Sequence, residues 1–303
     1  MSTPSRVIHR FSVGRLNCTV VSDGQPEPPW EPPLDSFFTP DSGVPTAELT
    51  AAVAVEGSAR TTLTGGYNCL LVETSAGLAV IDTGLGARFL GYGPDIGRQV
   101  GRLGERLTEV AVSASDLAAV VFTHLHQDHV RGATWPGELA FPAATGHAHA
   151  AEIAFWAGNS AELAAAAAEH LSSAREAIAL FAERMRPYEY GTEILPGVRT
   201  VEAAGHTPGH TAVLLESAGE RLLCVGDSFY DRLQLRHPGW GTPWDLDARR
   251  ATASRRRLLA RAADEKLGVH AYHLPFPGLG TITRHGDSFE WSAEMSDLLD
   301  NMS

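Results

Sequence analysis

The chain has 303 residues, of which 44% are hydrophobic and 20% are charged, an ordinary composition for a globular protein with a full core. It carries 36 acidic against 24 basic residues and a formal net charge of −12, which argues against nucleic acid or an anionic membrane as its partner. No apolar run has membrane-spanning length, and the amino-terminal stretch lacks the apolar core of a signal peptide, so we expect a cytoplasmic protein.

The first elements are strands followed by a proline-rich segment. Strands are predicted over 7–13 and 16–22, on either side of a turn at Gly14 and Arg15. Residues 23–45 then hold seven prolines, a density that excludes regular helix and central strand. Large aromatic residues in this segment indicate an ordered loop over the body of the protein, predicted over 23–63. The alternative is a surface arm with no role in the active site.

Apolar strands and helices alternate through the rest of the chain. Further strands are predicted at 67–84 (two, around a turn at 75–77), 117–122, 198–203, 212–215, 221–225 and 269–273. Helices are predicted at 96–108, at 159–185 with Asn159 as N-cap, and at about 247–267. Strands followed by helices, twice over, predict an α/β chain built as an αββα sandwich: two mixed β-sheets face to face with helices outside. We expect residues 1–303 to form a single domain of this kind.

Three cysteines and one arginine cluster have simple structural interpretations. Cys18, Cys69 and Cys224 lie far apart in apolar, strand-like runs, which favours buried free thiols. The arginines of 249–261 are interpreted as the solvated face of a helix that turns leucines inward. An anionic partner or a subunit contact is the alternative for this cluster.

The motif THLHQDHVRG places three of the 13 histidines between His124 and His129, where the strand at 117–122 ends. Loops at strand ends usually carry the functional groups of α/β folds. His124 and His126, two apart on extended chain, point to the same side and can chelate one ion. Asp128 and His129 then turn with the chain and can reach a second ion. Imidazole and carboxylate without thiolate favour Zn²⁺, with Mn²⁺, Fe²⁺ or Co²⁺ as alternatives.

Two ions require more than four ligands, and further candidates follow predicted strands downstream. His206 lies in AAGHTPGHT, beside glycines that allow close backbone approach. Asp227 ends the strand of LLCVGDSFYD with a carboxylate that could bridge two metals, and His273 ends the strand of VHAYHLPFPGLG. The sequence therefore predicts a two-metal site.

Taken together, the stretches THLHQDHVRG, GHTPGHT, VGDSFYD and YHLPFPGLG resemble the metallo-β-lactamase-fold hydrolases, in family order over residues 120–280. The resemblance implies one metal held by His124, His126 and His206, a second held by Asp128, His129 and His273, and a bridge between them by Asp227. VIDTG, at 80–84, resembles the early Asp-Thr-Gly turn of the family and places Asp82 behind the ligands. His210 is expected there too, bonded to the backbone and orienting His206.

Within the superfamily, HLPFPGLG, ELAFPAA and FSVGRLNCTVVSDG look like the methyl parathion hydrolase branch and its N-acyl-homoserine lactonase relatives. Tyr230, three residues after Asp227, matches a tyrosine that contacts the substrate carbonyl in lactonases. The resemblance implies a hydroxide that bridges two divalent ions, with Tyr230 donating to the oxyanion and Asp128 passing a proton to the leaving group. Aromatic side chains expected to contact the substrate are Trp30, Phe37, Phe38 and Trp135.

We therefore expect a hydrolase of ester bonds that opens a lactone or cleaves an ester, acyl-homoserine-lactonase-like or phosphotriesterase-like. Its partner would be a small-molecule ester or lactone, and a homodimer is a possibility. The alternatives are a thioesterase or a biosynthetic tailoring metalloenzyme of the same fold, or an iron-dependent oxidoreductase.

Two features depart from a simple match to the family. Arg131 stands where relatives usually have glycine; either the turn tolerates a side chain there, or the guanidinium reaches the site and favours an anionic substrate. His147 and His149 form a second His-x-His, but they precede a predicted helix and match no ligand position. We interpret them as surface residues or residues at the helix N-terminus.

Overall fold

The computed structural model describes residues 7–26, 31–38, 43–86, 99–135, 138–159, 163 and 168–294. The first seven-stranded sheet contains β1 (Ile8–Val13), β2 (Leu16–Gly24), β3 (Tyr67–Thr74), β4 (Gly77–Ile81), β5 (Leu117–Val121), β8 (Thr145–His149) and β9 (Met185–Tyr188), in this order. Its first four strands pair antiparallel, and the pairs from β4 to β9 are parallel. A small hairpin of β6 (Thr134–Trp135) and β7 (Glu138–Leu139) stands apart.

The second seven-stranded sheet contains β10 (Glu193–Leu195), β11 (Val198–Glu202), β12 (Thr211–Ser217), β13 (Glu220–Cys224), β14 (Gly268–His270), β15 (Leu279–His285) and β16 (Ser288–Ala293), also in chain order. Only the β13–β14 pair is parallel. Because β12 is antiparallel to both β11 and β13, strands β11, β13 and β14 all run the same way. Their carboxyl ends therefore meet at one edge of the sheet.

The helices among the described residues are α1 (Leu34–Phe38), α2 (Thr46–Val55), α3 (Leu103–Glu109), α4 (Gln127–Val130), α5 (Ala150–Ala157), α6 (Ala168–Phe181), α7 (Leu233–Arg236) and α8 (Ala248–Asp264). None of them is long and apolar enough to cross a membrane.

Three apolar clusters define the layers of the molecule. One joins the inner faces of the two sheets, with Val20 and Leu70 from the first sheet and Val213 and Leu215 from the second. A second cluster lies between the first sheet and α3, α5 and α6, and a third lies between the second sheet and α8. The predicted αββα sandwich of two mixed sheets is therefore confirmed.

The proline-rich segment differs from the prediction. We expected an ordered loop over 23–63 without regular helix, but the described part of this segment contains α1 and α2. Prolines immediately precede both helices, at Pro33 and Pro45, where the missing N–H costs no intrahelical hydrogen bond. The apolar side of these helices packs against Leu233 and Trp240 of the main body, so the segment is a packed arm rather than a linker.

Helix and strand boundaries were wrong in one long stretch. Of the described residues in the predicted helix at 159–185, Leu163 and Ala168–Phe181 are helical, and Met185 already begins β9. Strand β8 was not predicted because a short parallel strand buried on both faces has no alternating pattern, and β9 was missed because it is a four-residue edge strand whose residues include the exposed Arg186 and Pro187.

The cysteine prediction is confirmed, since all three thiols are free and buried. The arginine cluster lies on α8 with Leu258 and Leu259 turned inward as predicted, but Arg255 is only 1% exposed. Its guanidinium faces the protein interior, so the solvated-face interpretation was wrong for this residue.

Candidate metal centre

The seven predicted ligand residues lie on loops that follow strands. The first four follow β5, and the remaining three follow β11, β13 and β14, whose carboxyl ends share an edge. His126 is extended (φ −67°, ψ 155°) and precedes α4, whose first turn carries Asp128 and His129. The chain therefore turns within the motif as the sequence predicted, and it directs consecutive ligands to different places.

The seven side chains form two groups whose ligand atoms lie within 4.8 Å of one another in each group. The first, which we call the buried group, consists of His124, His126, His206 and Asp227. The second, which we call the cavity-facing group, consists of Asp128, His129, Asp227 and His273.

Asp227 belongs to both groups, and each of its oxygens faces one of them. Oδ2 lies 3.3 Å from His206 Nε2 and 3.6 Å from His124 Nε2, both in the buried group. Oδ1 lies 3.1 Å from His129 Nε2 and 3.2 Å from His273 Nε2, both in the cavity-facing group. This is the arrangement that a bridging carboxylate requires.

Several atoms of the two groups are buried and make no hydrogen bond, a costly state for polar atoms. They are His124 Nε2, His129 Nε2, His273 Nε2 and Asp227 Oδ1. A metal ion removes this cost, because each lone pair becomes a coordinating electron pair. The residues present therefore fit two divalent ions bound through nitrogen and oxygen.

The opposite nitrogens of four ligand histidines are already engaged, which orients the rings. Among them, His129 Nδ1 lies 2.9 Å from Asp82 Oδ2 and His206 Nδ1 lies 3.0 Å from Asp245 Oδ1. His124 Nδ1 lies 3.1 Å from Thr123 Oγ1, and His273 Nδ1 lies 3.2 Å from the Gly66 carbonyl oxygen. Such partners fix the tautomer that leaves Nε2 free for a metal.

Burial and charge set the protonation of the ligand residues in opposite directions. Burial, reinforced by neighbouring imidazoles, lowers the pKa of His124 and of His126 well below the ordinary value, so both are neutral. Burial also opposes ionisation of Asp227, but the adjacent His129 and His273 outweigh it and hold the Asp227 pKa well below its ordinary value. Neutral imidazoles at His124 and His126 thus stand beside an ionised carboxylate, whereas at His129 burial is outweighed by the surrounding carboxylates, which raise the pKa of its imidazole well above the ordinary value.

His206 differs, since hydrogen bonds with Asp227 and Asp245 overcome its burial and raise its pKa to about 9. The carboxylate of Asp245 was not predicted from the sequence. Its Oδ2 lies 3.4 Å from the Arg255 guanidinium, which also donates to the carbonyl oxygens of Ser228, Pro238 and Trp240. The inward-facing arginine of α8 thereby holds the loop that carries the partner of His206.

Glu152 is a second residue that sequence reasoning missed. This fully buried carboxylate accepts hydrogen bonds from Leu125 N in the first ligand loop and from Thr207 Oγ1 and Gly209 N in the loop of His206. It therefore joins ligand loops that belong to different sheets. Its position on α5 gives no sequence signal, because a lone glutamate on a helix is usually solvated.

His210 lies behind the candidate ligands and bonds to the backbone as predicted, but the second part of its predicted role differs. Its Nδ1 bonds to the Ala203 carbonyl oxygen at 3.0 Å, and its Nε2 accepts the Asp227 N–H at 3.0 Å. It therefore holds the peptide of Asp227 rather than orienting His206. Asp82, in contrast, bonds directly to a ligand ring and also accepts from Thr123 N and Thr123 Oγ1.

A cavity of about 410 Å³ opens above the cavity-facing group. Asp128, His126 and His273 form part of its floor together with Tyr230, whose hydroxyl lies 2.5 Å from Asp227 Oδ2 and 3.3 Å from His206 Nε2. Its remaining wall is largely apolar and includes Phe37, Leu63, Tyr67, Leu85, Pro243 and Trp244.

The aromatic residues predicted to contact the substrate lie in different parts of the structure. Phe37 lines the cavity, with its ring centroid 5.1 Å from that of Tyr230. Phe38 does not: it is fully buried and packs against Trp240 at 5.8 Å, because neighbouring residues of a short helix face different ways. Trp30 and the side chain of Trp135 lie outside the part of the chain that is described.

Two departures from the expected pattern are explained by the backbone. Arg131 has φ −68° and ψ −28°, which any residue adopts, and it is not among the described residues that line the cavity. A Cβ at Gly132 would lie 1.7 Å from the Thr83 carbonyl oxygen, so glycine is required only at that second position. This favours the interpretation that the turn tolerates a side chain at residue 131.

The second His-x-His lies in β8 and belongs to neither group of ligand residues. His147 and His149 are buried rather than exposed, so the surface interpretation was wrong. His149 nevertheless caps α5, since its Nδ1 accepts the Ala151 N–H at 3.0 Å. The alternative placement, at a helix N-terminus, is correct for this residue.

Sequence comparison gives a family and two distant relatives. A profile of the metallo-β-lactamase superfamily matches residues 63–267. Two proteins, each described as a probable metallo-hydrolase, from Mycobacterium bovis and Mycobacterium tuberculosis, are 29% identical over 195 residues. The match covers 54% of this chain and 56% of each relative, so the chain spans about half the length of the curated relatives it matches.

Structural comparison agrees with the profile. AidC, a dizinc quorum-quenching lactonase solved with a product, is 28% identical with a TM-score of 0.83, over 95% of this chain and 97% of that one. The hydrolase AbOPH, 24% identical, has the same fold, with a TM-score of 0.83 over 96% of this chain and 98% of its own. Profile and fold thus agree over most of the sequence, and the chain belongs to the metallo-β-lactamase superfamily.

Proposed function

We propose that this protein is a dinuclear-metal hydrolase that opens a lactone or cleaves an ester of a small molecule. The observation that carries the proposal is the placement of Asp227 between two groups of ligand residues, beneath a cavity lined by Asp128, His273 and Tyr230. The proposed ligands are those predicted from the sequence. One metal would be held by His124, His126 and His206, the other by Asp128, His129 and His273, and Asp227 would be shared by both.

The two divalent ions, most simply Zn²⁺ given the nitrogen-rich donor set, would supply an activated water and polarise the substrate carbonyl. The protein residues carry the rest of the chemistry. Burial, and then the charge of Asp227, raise the pKa of Tyr230 well above its ordinary range, so the hydroxyl keeps its proton. Its proton, which is donated to Asp227 Oδ2 in this structure, can instead be donated to the oxygen on which negative charge develops.

Asp128 is proposed as the group that moves a proton to the leaving alkoxide. Burial opposes its ionisation, but His129 and His273 outweigh that effect and lower the pKa of the Asp128 carboxyl. The carboxylate is thus ionised, and it lines the cavity with its side chain 17% exposed. It can accept a proton on the cavity side of the site and release it to an alkoxide.

The cavity wall supports a substrate with an apolar portion. Phe37, Leu63 and Trp244 give it an apolar surface, and the ring centroid of Phe37 lies 5.0 Å from that of Trp244. The similarity to AidC, a dizinc lactonase, over almost the whole chain adds support for a lactone. A lactone with an acyl or alkyl chain satisfies both features.

We also propose that residues 1–303 form a single domain, with the arm of α1 and α2 as part of it. The two sheets share one apolar cluster, which argues against separate units. Arg60, after α2, donates to both carboxylate oxygens of Asp231 at 2.7 Å, next to Tyr230. The arm is thereby attached to the segment that forms the floor of the cavity.

The test is proton release in a pH-stat from protein loaded with Zn²⁺ or Mn²⁺. Acyl-homoserine lactones, aryl esters, a thioester and a phosphotriester form the panel. We expect rapid lactone opening that H206A abolishes, because this substitution removes a ligand of the buried group. Y230F should retain both metals and lower kcat by about 100-fold, the usual effect of removing one oxyanion donor.

Each other outcome identifies a different function. Turnover of the thioester or phosphotriester alone would replace the lactone with that class of substrate. If a protein that holds two metals hydrolyses none of these substrates, the result would point to a biosynthetic tailoring reaction. Bound iron with a visible absorption band would favour the oxidoreductase alternative.

A further inference from the structure

A histidine on α6 lines the cavity but belongs to neither group of ligand residues. His170 contributes to the same wall as Asp128 and Tyr230, although sequence analysis gave it no role. Helix α6 packs beside α4, which carries ligands from the first motif. An imidazole is therefore built into the cavity beside the proposed reaction site.

Two contacts fix the orientation of the His170 ring. Its Nδ1 accepts the backbone N–H of Gln127 at 3.3 Å. Its plane lies against the ring of His126, with the centroids 4.0 Å apart and the planes at 32°. Because Nδ1 uses its lone pair as an acceptor, the ring proton is on Nε2.

The Nε2–H of His170 is therefore a hydrogen-bond donor, and it has no partner among the described residues. The two proposed catalytic side chains on the cavity floor have other hydrogen-bonding roles. The Tyr230 hydroxyl, which donates to Asp227 in this structure, is assigned to the reacting oxygen, and the Asp128 carboxylate is an acceptor. His170 thus offers a donor that the two proposed catalytic side chains do not duplicate.

The Nε2–H donor of His170 lies apart from the atoms of the proposed reaction site. His126 Nδ1 faces His206 Nε2 at 2.9 Å, inside the buried group, while His170 packs against the His126 ring. His170 is thus one side chain removed from the ligand atoms. A group on the substrate that meets it lies beside the reacting carbonyl rather than at it.

We propose that His170 is a specificity-determining residue whose Nε2–H donates to an acceptor in the acyl portion of the substrate, such as an amide oxygen. This inference rests on the proposed function. A fixed ring loses little rotamer entropy on binding, so the hydrogen bond discriminates efficiently between substrates with and without the acceptor.

The test compares two lactones of matched size on the metal-loaded protein: N-hexanoyl-homoserine lactone, which has an amide, and α-heptyl-γ-butyrolactone, which does not. H170F keeps a ring against His126 and removes the donor, whereas H170Q keeps an N–H. We expect H170F to lower the ratio of kcat/KM for the amide lactone to that for the alkyl lactone by about fivefold to tenfold, the usual value of one neutral hydrogen bond. H170Q should restore part of the ratio.

Metal content measured on each variant separates specificity from damage to His126, and H285Q, at the end of β15 outside the cavity lining, is the control. An unchanged ratio in H170F, or an equal fall on both lactones, would overturn the proposal. Calorimetric binding of the two ring-opened acids repeats the comparison without turnover. If wild-type protein opens neither lactone, the lactonase part of the proposed function fails, and the binding ratio of the acids still decides the role of His170.

Discussion

The two groups of ligand residues share Asp227 but differ in their surroundings. In the buried group, His124 and His206 are at most 1% exposed and His126 is 4% exposed. In the cavity-facing group, the side chains of Asp128 and His273 are 17% and 11% exposed. The first set of candidate ligands is therefore enclosed except where His126 reaches the cavity floor, and the second opens towards the cavity through Asp128 and His273.

This difference suggests a division of tasks within one site. Among the enclosed ligands, His206 is held by Asp245, which Arg255 holds in turn, and this suits the group to keep a metal firmly. The exposed ligands, Asp128 and His273, line the cavity, where a substrate would arrive. The next three experiments test that division, beginning with the residue that both groups share.

Replacement of Asp227 should have the largest effect. In D227N the neutral amide cannot bridge two cations, and its NH2 group would face imidazole nitrogens on one side. We expect activity to fall to background, with fewer than two metals per chain by elemental analysis. D264N, which alters an exposed carboxylate paired with Arg284, is the control. A D227N protein with two metals and normal turnover would contradict the bridging role.

A matched pair of substitutions should weaken the two groups separately. Asp245 bonds to His206 in the buried group, and Asp82 bonds to His129 in the cavity-facing group, at 3.0 and 2.9 Å. We expect D245N and D82N each to lower the affinity of one metal by about 10- to 100-fold. Asparagine tolerates the positive φ of 54° at residue 82.

The D245N and D82N variants are compared by the amount of metal that each retains as the concentration of a chelator is raised in steps. Each variant should lose one metal early and keep the other near its wild-type affinity. Equal weakening of both metals in both variants would mean that the two groups act as one unit.

The smallest expected effect concerns His270, a histidine that is buried like the candidate ligands but lies outside both groups. His270 is 3% exposed with an unpartnered Nε2, like a ligand, but it belongs to neither group. Burial lowers the pKa of His270 from its ordinary value of 6.5 to about 4 in the folded chain. Between these two pH values the unfolded chain binds a proton at this residue and the folded chain does not. The free energy of unfolding contributed by this residue therefore falls as the pH drops from 6.5 towards 4.

H270Q removes this titration. From pH 7 to pH 5 the stability of the variant should improve relative to wild type by about 2 kcal/mol, measured by urea unfolding. Its metal content should stay unchanged. A stability difference between the two proteins that does not vary with pH would show that His270 does not titrate in this range.

The ligand residues were accessible to sequence reasoning because their geometry is local. His124 and His126 stand two apart on extended chain, and each downstream candidate directly follows an apolar strand. Strand ends gather at one edge of a sheet, so the pattern alone predicts that these side chains meet.

The residues that support the ligands left weaker signals. Arg255 shares the i, i+3, i+4 row of α8 with Leu258 and Leu259, and an arginine in the apolar row of a helix could have indicated a buried partner. Asp245 gave no signal, because it lies in a loop 39 residues after the histidine it contacts. His170 was hidden in the same way on α6, where a single histidine has no pattern.

The sequence by itself therefore determined the family, the αββα architecture and the candidate ligands, since motif spacing and apolar periodicity are properties of neighbouring residues. Only the tertiary structure decided which carboxylates hold the ligand rings, that the proline-rich arm forms helices and brings Phe37 to the cavity, and that His170 faces the same space. The physical reason is that these contacts join loops and helices distant in sequence, and the packing of the two sheets alone sets their separation.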